Sequence, residues 1–427
     1  MNRAKVLIFP AGSEIGLEIF QSLKYSHHLE VHGASGKSDH ACYLYPKDRY
    51  HEGEYYIESA NFLEDFNKLL VDNQIEYVYP THDTIANFLA RNQEELAATV
   101  IGSNADTNHI ARHKRETYRF FADNSWCPDV YTLPEDIRTF PVFLKPDDGQ
   151  GGKGTYLANN RAELNFYLQQ NPGLLTMEFL PGDEFSIDCF TDYEGSLLFV
   201  GPRSRERVQM GISFRSTAIS PTEEILTIAK ALNKHLSLNG AWFFQTKIDT
   251  KGKHKLIEFA PRQASTMGLY RHTGINFALL SYFNAQRKKV EILRNEYPVQ
   301  LDRCLHNRYR AELDYERVYI DFDETIVDGG KVHERVMAFL YQCKNGGIEL
   351  ILITKHRHDI SSSLEKFAIS EHLFSEVLHI DESEEKWRHI NPESAIFIDN
   401  YWFDRKTVHE ELQIPVFDVD AIECLLI

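Results

Sequence analysis

Two stretches of this chain hold residues whose types and spacing suit chemistry on phosphates. In the first, the apolar residues 142–144 end at Lys145, and Gly149, Gly151, Gly152 and Gly154 follow, with Lys153 among them. A loop almost without side chains lets backbone N–H groups approach phosphate oxygens closely. Lys145 and Lys153 add point charges for the same anion. Further on, the short apolar run from Met177 to Leu180 ends at Pro181-Gly182. Such a run can offer backbone groups to an adenine edge, and Glu184 is near enough for ribose hydroxyls. A surface hairpin with a flexible Gly/Lys turn has the same composition, and a lone glycine motif is a weak signal. Arg203, Arg205 and Arg207 then alternate, which on a strand places them on one face. Like charges on one face repel unless a carboxylate or phosphate answers them; a charge-blunted edge strand is the other reading. In the second stretch, the apolar residues 318–320 run into Asp321 and Asp323, two carboxylates two apart at a strand end.

The elements that must position these groups follow from pattern and bulk. The 427 residues suit two to four domains, and 43% hydrophobic content supports sizeable cores. A formal net charge of −17 argues against nucleic acid and against anionic membrane surfaces, since a polyanion needs a basic face. The six cysteines are scattered without a CxxC, which suits reduced thiols and a cytoplasmic protein rather than a disulfide frame or zinc site. The N-terminus is polar and then strand-like, unlike a signal peptide, and no apolar run approaches the ~20 residues of a membrane span. Residues 6–9 read as a buried parallel strand followed by Gly12 and Gly16 and a helix. The GxGxxG spacing is absent, so no dinucleotide is expected. Further strands are read at 31–34 and 77–79. Thr81, His82 and Asp83 follow a strand end, as substrate-site candidates or as a simple helix cap. Gln245 and Glu258 lie on what reads as two paired strands joined by a Lys251-Gly252 turn.

The order strand, Lys145-Pro146, glycine loop, then Glu178-x-x-x-Gly182-x-Glu184, then Gln245 and Glu258, resembles the ATP-grasp superfamily, in its carbamoyl-phosphate-synthase-like branch. The resemblance implies a half-Rossmann pre-ATP-grasp domain over 1–105 and an ATP-grasp clamp over 106–295. It implies ATP and Mg²⁺ as cofactors, an acyl-phosphate intermediate and ADP release. Nucleotide contacts would fall on Lys114, Lys145, Gly151, Gly152, Lys153, Glu178, Leu180, Glu184, Arg203 and Arg205. Gln245 and Glu258 would hold magnesium, and Arg262 would act catalytically on the transferring phosphoryl group. Ser265, Thr266, Arg271 and His272 would lie near the substrate end. Two positions depart from the pattern: His113 precedes Lys114 where the family has Asp, and Ala260 stands where the family has a magnesium-binding Asn. A water can fill the missing position, since Mg²⁺ accepts waters in its octahedron.

The second stretch, Asp321-Phe-Asp323-Glu-Thr325, resembles the signature of haloacid-dehalogenase-like (HAD) phosphatases. A strand ending in Thr354, then Lys386, then a strand ending in Asp399 follow in the family's order. The resemblance implies that Asp321 attacks phosphorus, that Asp323 protonates the leaving oxygen and later activates water, and that Thr354 and Lys386 hold phosphoryl oxygens. Mg²⁺ on Asp321, the Asp323 carbonyl and Asp399 would screen the approach of carboxylate to phosphate. Asn400 stands where many relatives have Asp, with Asp404 as a compensating candidate. The segments on either side of Thr354 are too short for a lid domain.

The expected architecture is thus a multidomain α/β and α+β chain: the two ATP-grasp regions, a linker over 296–315 with a strand or two, and a capless Rossmann-like HAD domain over 316–427. The expected function is a bifunctional enzyme: a carboxylate–amine ligase joined to a phosphomonoester hydrolase. A HAD phosphatase with a regulatory, non-ligating ATP-binding module is the alternative, and a scaffold that binds ATP without turnover is a third. Expected partners are a small carboxylate, an amine and a phosphoester; a homodimer is compatible with this reading.

Overall fold

The computed structural model describes residues 3–149, 151–209, 211–309 and 311–426. The chain divides into two compact units, Met1–Leu305 and His306–Ile427.

The first unit opens with the strand Ala4–Phe9, whose last four residues are buried, as a strand covered on both faces requires. Leu29–Ser35 and Tyr77–Pro80 flank it in parallel, and Tyr50–Glu52 and Thr99–Val100 complete a five-stranded parallel sheet. Ser13 caps the following helix, Glu14–Leu23, by accepting from Gly16 N at 2.9 Å. Gly16 is required there, because a Cβ would lie 2.5 Å from the Ala11 carbonyl oxygen.

Two antiparallel sheets of four strands follow. In one, Val142–Lys145 lies between Tyr156–Ala158 and Leu175–Glu178, with Val130–Tyr131 outside the latter. In the other, Gly240–Ile248 lies between Glu184–Thr191 and His254–Ala260, with Leu197–Ser204 at the far edge. The helix Glu223–His235 covers this sheet with Ile225, Ile228, Ala229 and Leu232, one apolar stripe at helical spacing. Thr222 caps it, and Glu223, Glu224, Lys234 and His235 complement its dipole.

The stretch expected as a linker with a strand or two is divided between the units. Gln300–Asp302 is a strand paired with Ile212–Thr217, so residues up to Leu305 belong to the first unit. Arg215 and Asp302 are direct cross-strand partners there, and Arg215 Nε donates to Asp302 at 2.8 Å. The regions 1–105 and 106–295 together form the rest of that unit.

The second unit is a five-stranded parallel sheet in the order Glu376–His379, Glu349–Thr354, Arg317–Ile320, Ala395–Ile398, Val416–Phe417. Its strands alternate between two cores: Val318, Ile320, Leu350 and Leu352 face one, and Tyr319, Ile351 and Ile353 the other. Helices Glu334–Asn345, Ile360–Lys366 and Trp402–Leu412 complete the unit. Only a small hairpin, Val327–Asp328 with Lys331–Val332, and the helix Glu334–Asn345 stand between Thr325 and the strand that ends in Thr354, so no lid domain is inserted there. Among the described residues no helix is long and apolar enough to cross a membrane. All six cysteines are free thiols.

Candidate functional sites

In the first unit a cleft of about 180 Å³ collects Glu14, Lys114, Arg203, Gln245, Glu258 and Arg262. Gln245 and Glu258 are cross-strand partners, so their side chains leave the same face of the sheet and both reach the cleft. Ala260 lies two residues beyond Glu258 on that face and lines the cleft with a methyl group. Among the described residues no three His, Cys, Asp or Glu side chains converge as a metal group, so the oxygen set at this point is Glu258 with the Gln245 amide.

Arg203 is the best-defined anion-binding group. Its Nε donates to Asp188 Oδ2 at 2.8 Å and its Nη2 to Oδ1 at 3.2 Å, and both side chains are buried. Burial pushes the Asp188 carboxyl above the usual range, and Arg203 opposes that shift. The remaining nitrogen, Arg203 Nη1, is buried without a hydrogen-bond partner among the described residues. An orphaned guanidinium nitrogen on a residue that lines a cleft calls for an acceptor oxygen. Arg205 is held beside it: Nε lies 2.8 Å from Glu184 Oε1, and Nη2 donates to the Gly211 carbonyl at 2.8 Å. Arg207 is answered within the protein, by Asp302 and the Arg303 carbonyl.

Lys145 ends its strand buried, donating to Tyr118 Oη at 2.6 Å and to the Ile257 carbonyl at 3.2 Å. Burial, with Lys114 second, lowers its ammonium to about 7, against the pull of Glu258 and Glu184. Lys114, at the head of the helix Lys114–Phe120, donates to the Gly149 carbonyl at 2.8 Å and so holds the base of the glycine loop. Gly151, Gly152 and Gly154 all have left-handed backbones, with φ of 61, 70 and 70°. Gly211, at φ 75°, passes so close that a Cβ there would lie 2.5 Å from the Gly151 backbone.

Arg262 is tied to Asp83, with Nε 2.6 Å from Oδ1 and Nη2 2.8 Å from Oδ2. Burial works to raise the Asp83 carboxyl, but Arg262 outweighs it and holds it below the usual range. Thr81 is structural: its hydroxyl donates to the Pro10 carbonyl at 2.8 Å. Of the expected residues, Lys114, Gly151, Arg203, Arg205, Gln245, Glu258 and Arg262 meet at the cleft, with Ser265 and Thr266. Lys145, Gly152, Lys153, Glu178, Leu180 and Glu184 are not in its lining. Lys153 is exposed, and Glu178 accepts from Asp129 N at 2.9 Å beside Lys255. Arg271 is paired with Glu18. Sequence reasoning missed Glu14, Tyr118 and Asp188; only Asp188, an acid within the strand-forming run Glu184–Thr191, carried a visible signal.

In the second unit the parallel sheet gathers Asp321, Thr354 and Asp399 at the carboxyl ends of three adjacent strands. Lys386 Nζ donates to Asp321 Oδ1 at 2.7 Å and to Asp399 Oδ2 at 2.6 Å, all three buried. Burial pushes both carboxyls up; Lys386 opposes this at each, while Asp321 pushes Asp399 further. For Lys386, burial alone would lower the ammonium, but Asp321 and Asp399 outweigh it. Thr354 Oγ1 is buried and has no hydrogen-bond partner among the described residues. Asp404, the compensating candidate for Asn400, reaches the same Lys386 ammonium. Its Oδ2 lies 3.5 Å from Lys386 Nζ and its Oδ1 3.7 Å from Lys355. Asn400 locks Thr325, accepting from its hydroxyl at 3.1 Å while the Asn400 N–H donates back at 3.0 Å. Asp323 is half-exposed and meets His356, a residue the sequence reading passed over.

Comparison with known proteins agrees with the architecture of the first unit. Residues 170–304 match the family described as ATP-grasp in the biosynthetic pathway with Ter operon. The match ends one residue short of the unit boundary at Leu305. The arginine-specific large chain of carbamoyl phosphate synthase from Halalkalibacterium halodurans is 21% identical over 239 residues, 50% of this chain and 22% of that protein. This chain therefore spans only a fraction of that relative's length. Among solved structures, the biotin carboxylase domain dimer of Hydrogenobacter thermophilus 2-oxoglutarate carboxylase, in complex with MgADP, ADP and bicarbonate, is similar with a TM-score of 0.56. It is 17% identical, covering 69% of this chain and 73% of that one. The L-amino acid ligase of Bacillus licheniformis is similar with a TM-score of 0.52 at 19% identity, covering 67% of this chain and 74% of that one. The first unit thus shares the fold of these solved structures, and residues 170–304 within it carry the family match.

Proposed function

We propose that the chain is a bifunctional enzyme. Its first unit is an ATP- and Mg²⁺-dependent ligase that activates a carboxylate as an acyl phosphate and joins it to an amine. Its second unit is a HAD-type phosphomonoester hydrolase. The observation that carries the ligase reading is the cleft, where the unpartnered Arg203 Nη1 and the cross-strand pair Gln245 and Glu258 meet the glycine loop. Arg203, Arg205 and Lys114 suit a polyphosphate, and Arg262 suits the oxygens of a transferring phosphoryl group. Gln245 and Glu258 supply oxygen donors of the kind Mg²⁺ takes, and the ion would neutralise phosphate charge there. ADP release from ATP that depends on an added acid and an added amine tests this reading. ADP formation that ignores both, across a broad substrate panel, would overturn it.

Ala260 favours a second reading, in which the first unit binds ATP and does not ligate. Its methyl lines the cleft at a point where the resemblance implies a magnesium ligand. Ala260→Asn separates the two: a steeper Mg²⁺ dependence of ATP binding with no turnover on any substrate mix supports the regulatory module.

The phosphatase reading rests on the shared ammonium of Asp321 and Asp399 beside the unpartnered Thr354 hydroxyl. Asp321 would form the bond to phosphorus as the ester P–O bond breaks, and the leaving oxygen would take a proton from Asp323. Water would then attack the aspartyl-phosphate and pass its proton to Asp323, releasing orthophosphate and restoring Asp321. Lys386 and Thr354 would hold the phosphoryl oxygens. Two buried carboxylates around one ammonium leave negative charge in excess, which fits a divalent cation held by Asp321, Asp399 and the Asp323 carbonyl. Such a cation would screen carboxylate from phosphate. Hydrolysis of a phosphomonoester by the full chain, lost with EDTA, tests it.

A further inference from the structure

Asp323 side-chain atoms are 54% exposed, yet the carboxylate is not free to turn. His356 Nδ1 lies 3.0 Å from Asp323 Oδ1 and 2.9 Å from Oδ2. The imidazole is itself 10% exposed and fixed from several sides. Its Nε2 lies 2.8 Å from the Ser363 hydroxyl, on the helix Ile360–Lys366 that Asp359 caps. The His356 carbonyl accepts from His379 Nε2 at 2.6 Å, and the Phe322 ring meets the imidazole edge-on at 5.1 Å. The Ser363 hydroxyl can donate to Nε2, which leaves the imidazole proton on Nδ1, the nitrogen facing Asp323.

We propose that His356 is a positioning residue for the phosphatase reaction: it clamps the Asp323 carboxyl so that its proton points at the leaving oxygen. The inference rests on the phosphatase reading of the second unit. An exposed carboxyl otherwise samples several rotamers, and a general acid works only from the aligned one. With Nδ1–H held between the two oxygens of Asp323, at 3.0 and 2.9 Å, the carboxyl proton sits on the side turned away from the imidazole. After the ester P–O bond breaks, that proton moves to the leaving alkoxide. The same fixed carboxylate then receives the proton of the attacking water. Thr354 and His356 leave the same strand end, so one short segment would hold the phosphoryl group and aim the acid.

The test uses the full chain and two esters. A simple alkyl phosphate needs its leaving oxygen protonated; dinitrophenyl phosphate does not. The quantity read is kcat/KM, which reports phosphoryl transfer to Asp321 and not the later hydrolysis. His356→Ala is expected to lower it about 30-fold or more on the alkyl ester and no more than about threefold on the dinitrophenyl ester, given the usual weight of general-acid catalysis. His356→Asn, whose amide nitrogen can take the place of Nδ1, is expected to recover most of the alkyl activity. Equal losses on both esters in the Ala and Asn variants, or no loss on the alkyl ester, would overturn the inference while leaving the phosphatase reading standing. A wild type inactive on both esters and on a wider panel would overturn the phosphatase reading and the inference with it.

Discussion

Lys386 bridges Asp321 and Asp399, with its ammonium 2.7 Å from one carboxylate and 2.6 Å from the other. The bridge neutralises part of a buried negative cluster that neither acid could keep ionised alone. Removing the cation is therefore worse than removing a surface charge. Lys386→Met is expected to destabilise the second unit by about 3–5 kcal/mol, the usual cost of orphaning a buried ionic partner. Millimolar Mg²⁺ should restore part of this loss, because a ligand that binds only the folded state stabilises it. Thermal melts of the variant with and without Mg²⁺ check both statements.

Asp321→Asn should abolish phosphomonoester hydrolysis, because an amide cannot accept the phosphoryl group. Asp323→Asn should slow kcat/KM by about 10²–10⁴-fold on an alkyl ester, the range for a lost general acid. Phosphate affinity should change little, since the acid matters in the transition state more than in binding. Steady-state kinetics and trapping of beryllofluoride at Asp321 measure these separately.

Lys145 lies outside the cleft lining, and as an expected phosphate contact it should make ATP binding pH-dependent. Its ammonium is lowered to about 7 when the site holds only protein groups, so near pH 8 it is mostly neutral. A bound polyphosphate favours the charged form, so binding above neutral pH should take up a proton, and affinity should fall as pH rises through 7 towards 9. The stability effect has the opposite slope. In the unfolded chain the lysine keeps its ordinary, higher pKa, so between about 7 and 10.4 the unfolded state binds more protons and stability rises with pH. Lys145→Met should flatten both dependences. Calorimetry in two buffers of different ionisation enthalpy reads the proton uptake directly.

Asp188→Asn should cost about 3–5 kcal/mol, since Arg203 would stay buried with its bidentate partner gone. It should also weaken ATP–Mg²⁺ stabilisation, because a misdirected Arg203 no longer presents Nη1 to the cleft. Asp302→Asn is the contrasting case: its partners Arg207 and Arg215 are about half-exposed, so its effect should be below about 1 kcal/mol. Denaturant unfolding of the two variants side by side measures the difference.

Much of the second site was legible because a parallel strand announces itself. Residues 318–320, 350–353 and 395–398 are apolar runs, and each ends in a polar residue: Asp321, Thr354 and Asp399. Parallel pairing then brings those ends to one edge whatever the distance between them in the chain. The pair Gln245 and Glu258 was legible in part for a related reason. The hairpin between them turns at Gly252, whose φ of 76° favours glycine, so the two strands had to pair; the bulge after Gln245 that sets it opposite Glu258 rather than Ile257 was not legible. Periodicity thus carries backbone placement, and backbone placement carries the residues that sit at element ends.

The tertiary structure alone decided which charges answer one another. In the sequence, Arg203 and Arg207 are members of one alternating set. In the fold, Arg203 is buried against Asp188 with a nitrogen to spare, while Arg207 is half-exposed on Asp302. Asp323 could be read as an acid from its spacing, but the imidazole that clamps it comes from beyond another strand. A strand or two was expected in the linker, but three residues carry no periodicity; only pairing with Ile212–Thr217 places one at Gln300–Asp302. Such side-chain partnerships depend on rotamer and close packing between residues far apart in the chain. A hydrogen bond fades within about an ångström of its best length, and no pattern along one strand can specify that distance.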